Sequence, residues 1–105
     1  MATGRLAASD ISAATNTTVY TTPADTYTVA SLSLCNRGAV TATISVAIAD
    51  TDTPTNGEYI EFQTDLLPKN ILERTGIVLA ADQRIVVLST EASISAVVVG
   101  IETAA

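Results

Sequence analysis

The sequence predicts an all-β protein: an antiparallel β-sandwich, jelly-roll or immunoglobulin-like, with seven to eight short strands and an extended N-terminal arm. Three observations predict it. First, between Tyr27 and Ile48 apolar and polar residues alternate with period two. Thr28, Ala30, Leu32 and Leu34 oppose Ser31 and Ser33, and Val40, Ala42, Ile44, Val46 and Ile48 oppose Thr41, Thr43 and Ser45. Second, the chain is 48% hydrophobic but only 4% aromatic, with no Trp. Its core must therefore be built from many small branched side chains, which suit pleated surfaces better than helices. Third, turn signals recur at roughly the 8- to 12-residue spacing of sandwiches and barrels, and no stretch carries a long helical period.

Taken in order, residues 1–15 read as an arm. Leu6 and Ile11 are isolated hydrophobes that satisfy neither period, and Ser, Thr and Asn interrupt any helix begun at Ser9 or Asp10. The expectation is that Leu6 and Ile11 anchor this arm on a neighbouring subunit. A single domain then spans residues 16–102, and residues 103–105 form a tail. Its first strand, Thr17 to Thr21, stops at Thr22-Pro23-Ala24-Asp25, where proline removes a ladder donor and aspartate favours a turn. The two alternating arms from Tyr27 to Ile48 read as a hairpin about Asn36-Arg37-Gly38, with Gly38 at positive φ. Leu32, Leu34, Ile44, Val46 and Ile48 are the predicted core.

Asp50 to Gly57 carries the strongest loop signal, and Glu58 to Phe62 is a half-buried strand. After the turn at Leu66 to Asn70, Ile71 to Leu79 is extended around Gly76, which marks a bulge or a close backbone approach. Ala80 to Gln83 reverses the chain. Arg84 to Ser89 and Ser93 to Glu102 are expected to pair as a final hairpin. Within it, Val97-Val98-Val99 places branched groups on both faces. Either this strand is central between two layers or one of its faces is covered by another subunit, which makes Val97 and Val99 candidate interface residues alongside Leu6 and Ile11.

Composition narrows the chemistry. Five basic residues against eleven acidic give a formal charge of −6, with no histidine and one cysteine. No basic cluster exists to neutralise phosphates, so nucleic-acid binding is not expected. Cys35 cannot form an internal disulfide and suits a small buried position. No apolar run is long enough to cross a membrane as a helix, and the N-terminus resembles neither a signal peptide nor a lipidation site; synthesis in the cytoplasm of the producing cell is expected.

Asp50, Asp52 and Glu61 occupy the first, third and twelfth positions of a calcium-loop spacing, but Pro54 and Thr55 break the rest of it, so no metal or other cofactor is expected. Glu58 and Glu61, three apart on a strand, face opposite ways and cannot share a glycosidic bond. With no histidine and no nucleophile motif, an enzyme is not expected. Tyr20, Tyr27 and Tyr59 with Phe62 suggest a stacking platform for a sugar, weakened by the missing Trp.

The segments Thr-Asn-Thr-Thr-Val-Tyr (residues 15–20), Cys-Asn-Arg-Gly (35–38), Thr-Pro-Thr-Asn-Gly-Glu-Tyr-Ile-Glu (53–61), Leu-Glu-Arg-Thr-Gly-Ile-Val (72–78) and Gly-Ile-Glu (100–102) come in a distinctive order. In that order, over about Gly4 to Glu102, the chain resembles a family of small virion structural proteins of tailed bacteriophages, those of cyanobacteria in particular. The resemblance implies a β-sandwich that assembles in many copies on a capsid or tail, and it brings no catalytic residues. Between these positions the outer surface of the head is expected, as a capsid decoration or cement protein, because a compact acidic domain with an apolar patch and an arm suits stapling neighbouring capsid proteins. Its partners would be the major capsid protein, other virion proteins or copies of itself, with no nucleic acid and no membrane. The alternatives are a tail, neck or fibre accessory protein, or a glycan- or receptor-binding module.

Overall fold

The computed structural model describes residues 2–105. Eight strands form in it: β1 (Thr3–Ile11), β2 (Thr17–Thr21), β3 (Thr26–Asn36), β4 (Ala42–Ala49), β5 (Tyr59–Leu66), β6 (Ile71–Leu79), β7 (Arg84–Ser89) and β8 (Ile94–Ala104). Among the described residues the only helical element is one 3₁₀ turn at Asn56–Glu58 ahead of β5. The strands make two four-stranded sheets, a first sheet in the order β1-β8-β3-β6 and a second in the order β2-β7-β4-β5. Every strand pair is antiparallel. Pairs 1-8, 2-7, 3-6 and 4-5 nest as if one long hairpin had been rolled up, and the 8-3 and 7-4 ladders join the nested pairs into sheets. That order is a jelly roll and not an immunoglobulin-like sandwich.

The expected alternation appears where it was strongest. Thr28, Ala30, Leu32 and Leu34 of β3 are buried, while Ser31 and Ser33 point outward and are half-buried. On β4, Ala42, Ile44 and Val46 are fully buried, and Ile48 packs partly exposed against the same cluster. Opposite them lie Ile85 and Val87 of β7, Ile94, Ala96 and Val98 of β8, and Ile77 and Leu79 of β6. Gly76 takes φ +69° where the β3–β6 register slips, which is the bulge its position in the strand suggests.

Both predicted hairpins are corrected. β3 and β4 lie in different sheets, and so do β7 and β8; β4 and β5 are the one consecutive pair that is hydrogen-bonded. The linkers are long enough to permit it. Arg37–Thr41 separates β3 from β4 and Thr90–Ser93 separates β7 from β8, and four or five extended residues reach the roughly 10 Å between packed sheets. Val40, placed by alternation on the core face, sits in this crossing and is 59% exposed. Gly38 does not take positive φ. The crossing is fixed instead by the buried Asn36. Its side-chain amide donates to the carbonyls of Val40 (2.9 Å) and Leu66 (3.0 Å), and its Oδ1 accepts from the Gly38 N–H (2.9 Å).

The N-terminal segment is extended, but it is an edge strand of the domain and not an appendage. Thr3–Ile11 pairs with β8 along its length, with a bulge between Arg5 and Ala7. Ile11 is 2% exposed inside the core, and Leu6 packs against the same cluster. At the other end β8 runs to Ala104, so residues 103 and 104 belong to the sheet and not to a tail.

Candidate interaction surface

Strand order decides which side chains meet on the outer faces. β8 and β3 are the central strands of the first sheet, and their outward residues are Ser95, Val97, Val99, Ile101 and Thr103 on β8 and Tyr27, Val29, Ser31, Ser33 and Cys35 on β3. The register sets Val29 opposite both Ile101 and Val78, so the row across four strands reads Val78, Val29, Ile101, Thr3. The next row holds Ser31, Val99 and Arg5. Tyr27, Val29, Val78, Val99 and Ile101 are each between 41% and 64% exposed. They form one continuous apolar patch toward one end of the face. The other end is mixed, with Glu73, Ser33, Val97 and Ala8 in one row and Ile71, Cys35, Ser95 and Asp10 in the next, Ile71 standing 58% exposed at the β6 edge.

The second sheet treats its outer face differently. Ala47, Ala49 and Val86 lie outside the core cluster yet are almost fully buried, and the β4–β5 loop folds over this side. Its Asp52 carboxylate accepts from the Thr18 hydroxyl on β2 and from Arg84 Nη1 (2.9 Å) on β7. Those two partners, the hydroxyl first, hold the Asp52 carboxyl below the usual carboxylate range. One outer face thus carries its own cover, and the apolar end of the other has none among the described residues. A single exposed Val or Leu needs no explanation, but five contiguous ones on a flat sheet mark a contact surface.

The sequence-derived site residues separate cleanly. Val97 (half-buried) and Val99 (43% exposed) do share the outer face, with Val98 between them in the core. Ile11 is buried in the core, so the expectation that it reaches a neighbouring subunit is corrected, while Leu6 packs half-buried against the same cluster. The sequence offers Tyr27 only as a candidate sugar-stacking ring and gives Val29, Val78 and Ile101 no role. The available signal was the outward series of β3, in which Tyr and Val give way to Ser and Ser.

Other candidate chemistry is dispersed. Tyr20 lies in the core and donates to Glu102 Oε2 (2.5 Å), bridging β2 to β8, with the Thr28 hydroxyl 2.9 Å away. Burial, then the bond to Glu102, raises the Tyr20 hydroxyl above its ordinary pKa; that same bond, with the Ala2 backbone N–H, lowers the Glu102 carboxyl. This clasp ties the two sheets together. The four-ring sugar platform does not assemble. Tyr20 is buried, Tyr27 is on the first sheet, and only Tyr59 and Phe62 meet, edge to face with centroids 5.1 Å apart, beside Asn56. Glu58 accepts from the Thr55 backbone N–H (2.8 Å), and Glu61 is ion-paired with Arg74 (2.9 Å) across the open β5–β6 side. With Asp52 held by Arg84, the loop carboxylates are tied apart, and among the described residues no three Asp, Glu, Cys or His side chains gather into a possible metal-binding group.

No protein-family model matches the chain, and no curated protein matches it at a significant level. No helix among the described residues is long and apolar enough to cross a membrane.

Proposed function

We propose that this chain is a non-catalytic virion structural protein, a decoration or cement protein that joins the outer surface of a phage head in many copies and stabilises it. The observation that carries the proposal is the uncovered apolar patch of Tyr27, Val29, Val78, Val99 and Ile101 on the first sheet. Burying it against other subunits removes five large apolar side chains from water, each contributing on the order of 1 kcal/mol or more. The jelly roll suits the task because consecutive strands mostly cross between sheets, so load on one sheet is shared with the other. The resemblance of its motif order to small phage structural proteins supports the same reading. A glycan- or receptor-binding module is the second reading, and it rests on the Tyr59–Phe62 pair beside Asn56.

One experiment separates them. Purified protein is added to heads that lack it, and bound copies and the temperature of genome release are measured. Wild type and Phe62→Asp are expected to saturate the heads and raise that temperature, whereas Val29→Asp binds at least tenfold more weakly, as a charge set in an apolar contact should. The reverse ranking, with Phe62→Asp failing and Val29→Asp binding normally, would move recognition to the aromatic pair.

A further inference from the structure

We propose that the outer face of the first sheet is covered by the same face of a second copy, related by a two-fold axis lying between the sheets and parallel to the strands. This names the partner of the surface described above and so rests on its being a contact surface, though not on where the protein resides. Area is the first argument. β3 and β8 each run eleven residues and β1 and β6 nine. At about 3.4 Å per residue and 4.8 Å between strands, the face measures on the order of 650 Å². Stable interfaces bury about 800 Å² per partner, so the whole face, and not a corner of it, would be engaged.

Charge chooses the partner and the axis. Of eleven acidic residues, only Asp10 and Glu73 occupy outward positions on the four strands of this face, and Asp10 is already paired with Arg37. The acidity of the chain therefore lies elsewhere and does not oppose the approach of two such faces. Two exposed charges of opposite sign remain, Arg5 on the β1 edge and Glu73 on the β6 edge, and neither has an ion-pair partner among the described residues. An axis parallel to the strands lays β1 of one copy over β6 of the other. Arg5 then comes down at the Glu73–Thr75 end of the opposing β6, twice by symmetry. Ile101 meets Val29, and Val78 meets Thr3. An axis perpendicular to the strands lays β1 on β1 and sets Arg5 near Arg5, which repels. Either axis keeps the strands aligned, as twisted sheets packed face to face are, so charge is what selects the parallel one.

The test uses the purified full chain and needs no particles: sedimentation equilibrium across a concentration series for wild type, Ile101→Asp, Arg5→Glu, Glu73→Arg and the double swap Arg5→Glu/Glu73→Arg. Wild type is expected at twice the 10.8 kDa chain mass and Ile101→Asp at the chain mass. Each single swap should weaken the dimer about tenfold, and the double swap should restore it to within about threefold of wild type. Because these side chains are exposed, folding is checked by an unchanged far-ultraviolet spectrum, and recovery in the double swap is a result that misfolding cannot imitate. A monomeric wild type, a dimer insensitive to Ile101→Asp, or a double swap no better than the single ones would each overturn the proposal. The particle experiment fails separately: a monomer that still binds heads through Val29 removes the dimer and keeps the virion reading, and a dimer indifferent to heads does the opposite.

Discussion

Replacing Gly100 by Ala is expected to cost at least about 3 kcal/mol and to lower the melting temperature by roughly 15 °C. Gly100 lies in β8, a central strand, opposite Ala30 on one side and Gly4 on the other. A Cβ built there falls 2.2 Å from the Val29 carbonyl oxygen and 2.8 Å from the Ala30 Cα. Those are backbone atoms of the neighbouring strand, so no rotamer change relieves the clash. β8 would have to move away from β3, and its ladder to β3 is the longest in the protein, running from Ile94 to Ala104. The constraint is space and not φ, which is why even the smallest side chain fails. Thermal unfolding followed by circular dichroism checks it, and a melting temperature within about 2 °C of wild type would show that the strands have room to separate.

Ile44→Ala is the second large effect, with an expected loss of about 2 to 5 kcal/mol. Ile44 is completely buried on β4, between β7 and β5, with the first sheet above it. Removing its outer carbons leaves a cavity that two stiff sheets close poorly, in a domain whose total stability is on the order of 5 to 15 kcal/mol. Val40→Ala is the matched control. Alternation alone sets Val40 and Ile44 on one face, whereas the structure leaves Val40 in the crossing between sheets, so its truncation should change stability by less than about 0.5 kcal/mol. Urea unfolding should show the midpoint falling for Ile44→Ala alone, at unchanged slope. Equal losses in the two variants would return Val40 to the core.

These two positions also mark what a sequence can show. Period two tells which residues share a face, and it placed Thr28 to Leu34 and Ile44 to Val46 in the core correctly. It does not tell which strand lies beside which. A linker such as Arg37–Thr41 serves a hairpin or a crossing equally well, and the choice is made by long-range burial, here by Asn36 satisfying carbonyls of the crossing and of β5. Leu6 and Ile11 read as part of a free arm because two hydrophobes without a period give no strand signal; β8 supplies their pairing from the far end of the chain. Gly100 looks unremarkable in sequence because its constraint is the backbone of another strand. The apolar patch was half legible: Val97 and Val99 stood out in a run of valines, while Val29, Val78 and Ile101 lie on three strands that only the jelly-roll order brings into one row.

The central claim, that this protein works by association through the outer face of its first sheet, is tested most directly by a cryo-EM reconstruction of whole phage particles at side-chain resolution. The expected map shows the eight-stranded sandwich repeated over the outside of the head, with Val29, Val78, Val99 and Ile101 in contact with a neighbouring subunit and Phe62 facing solvent. A map in which the chain is absent from the particle, or in which it is present with that face bare to solvent, would contradict the claim.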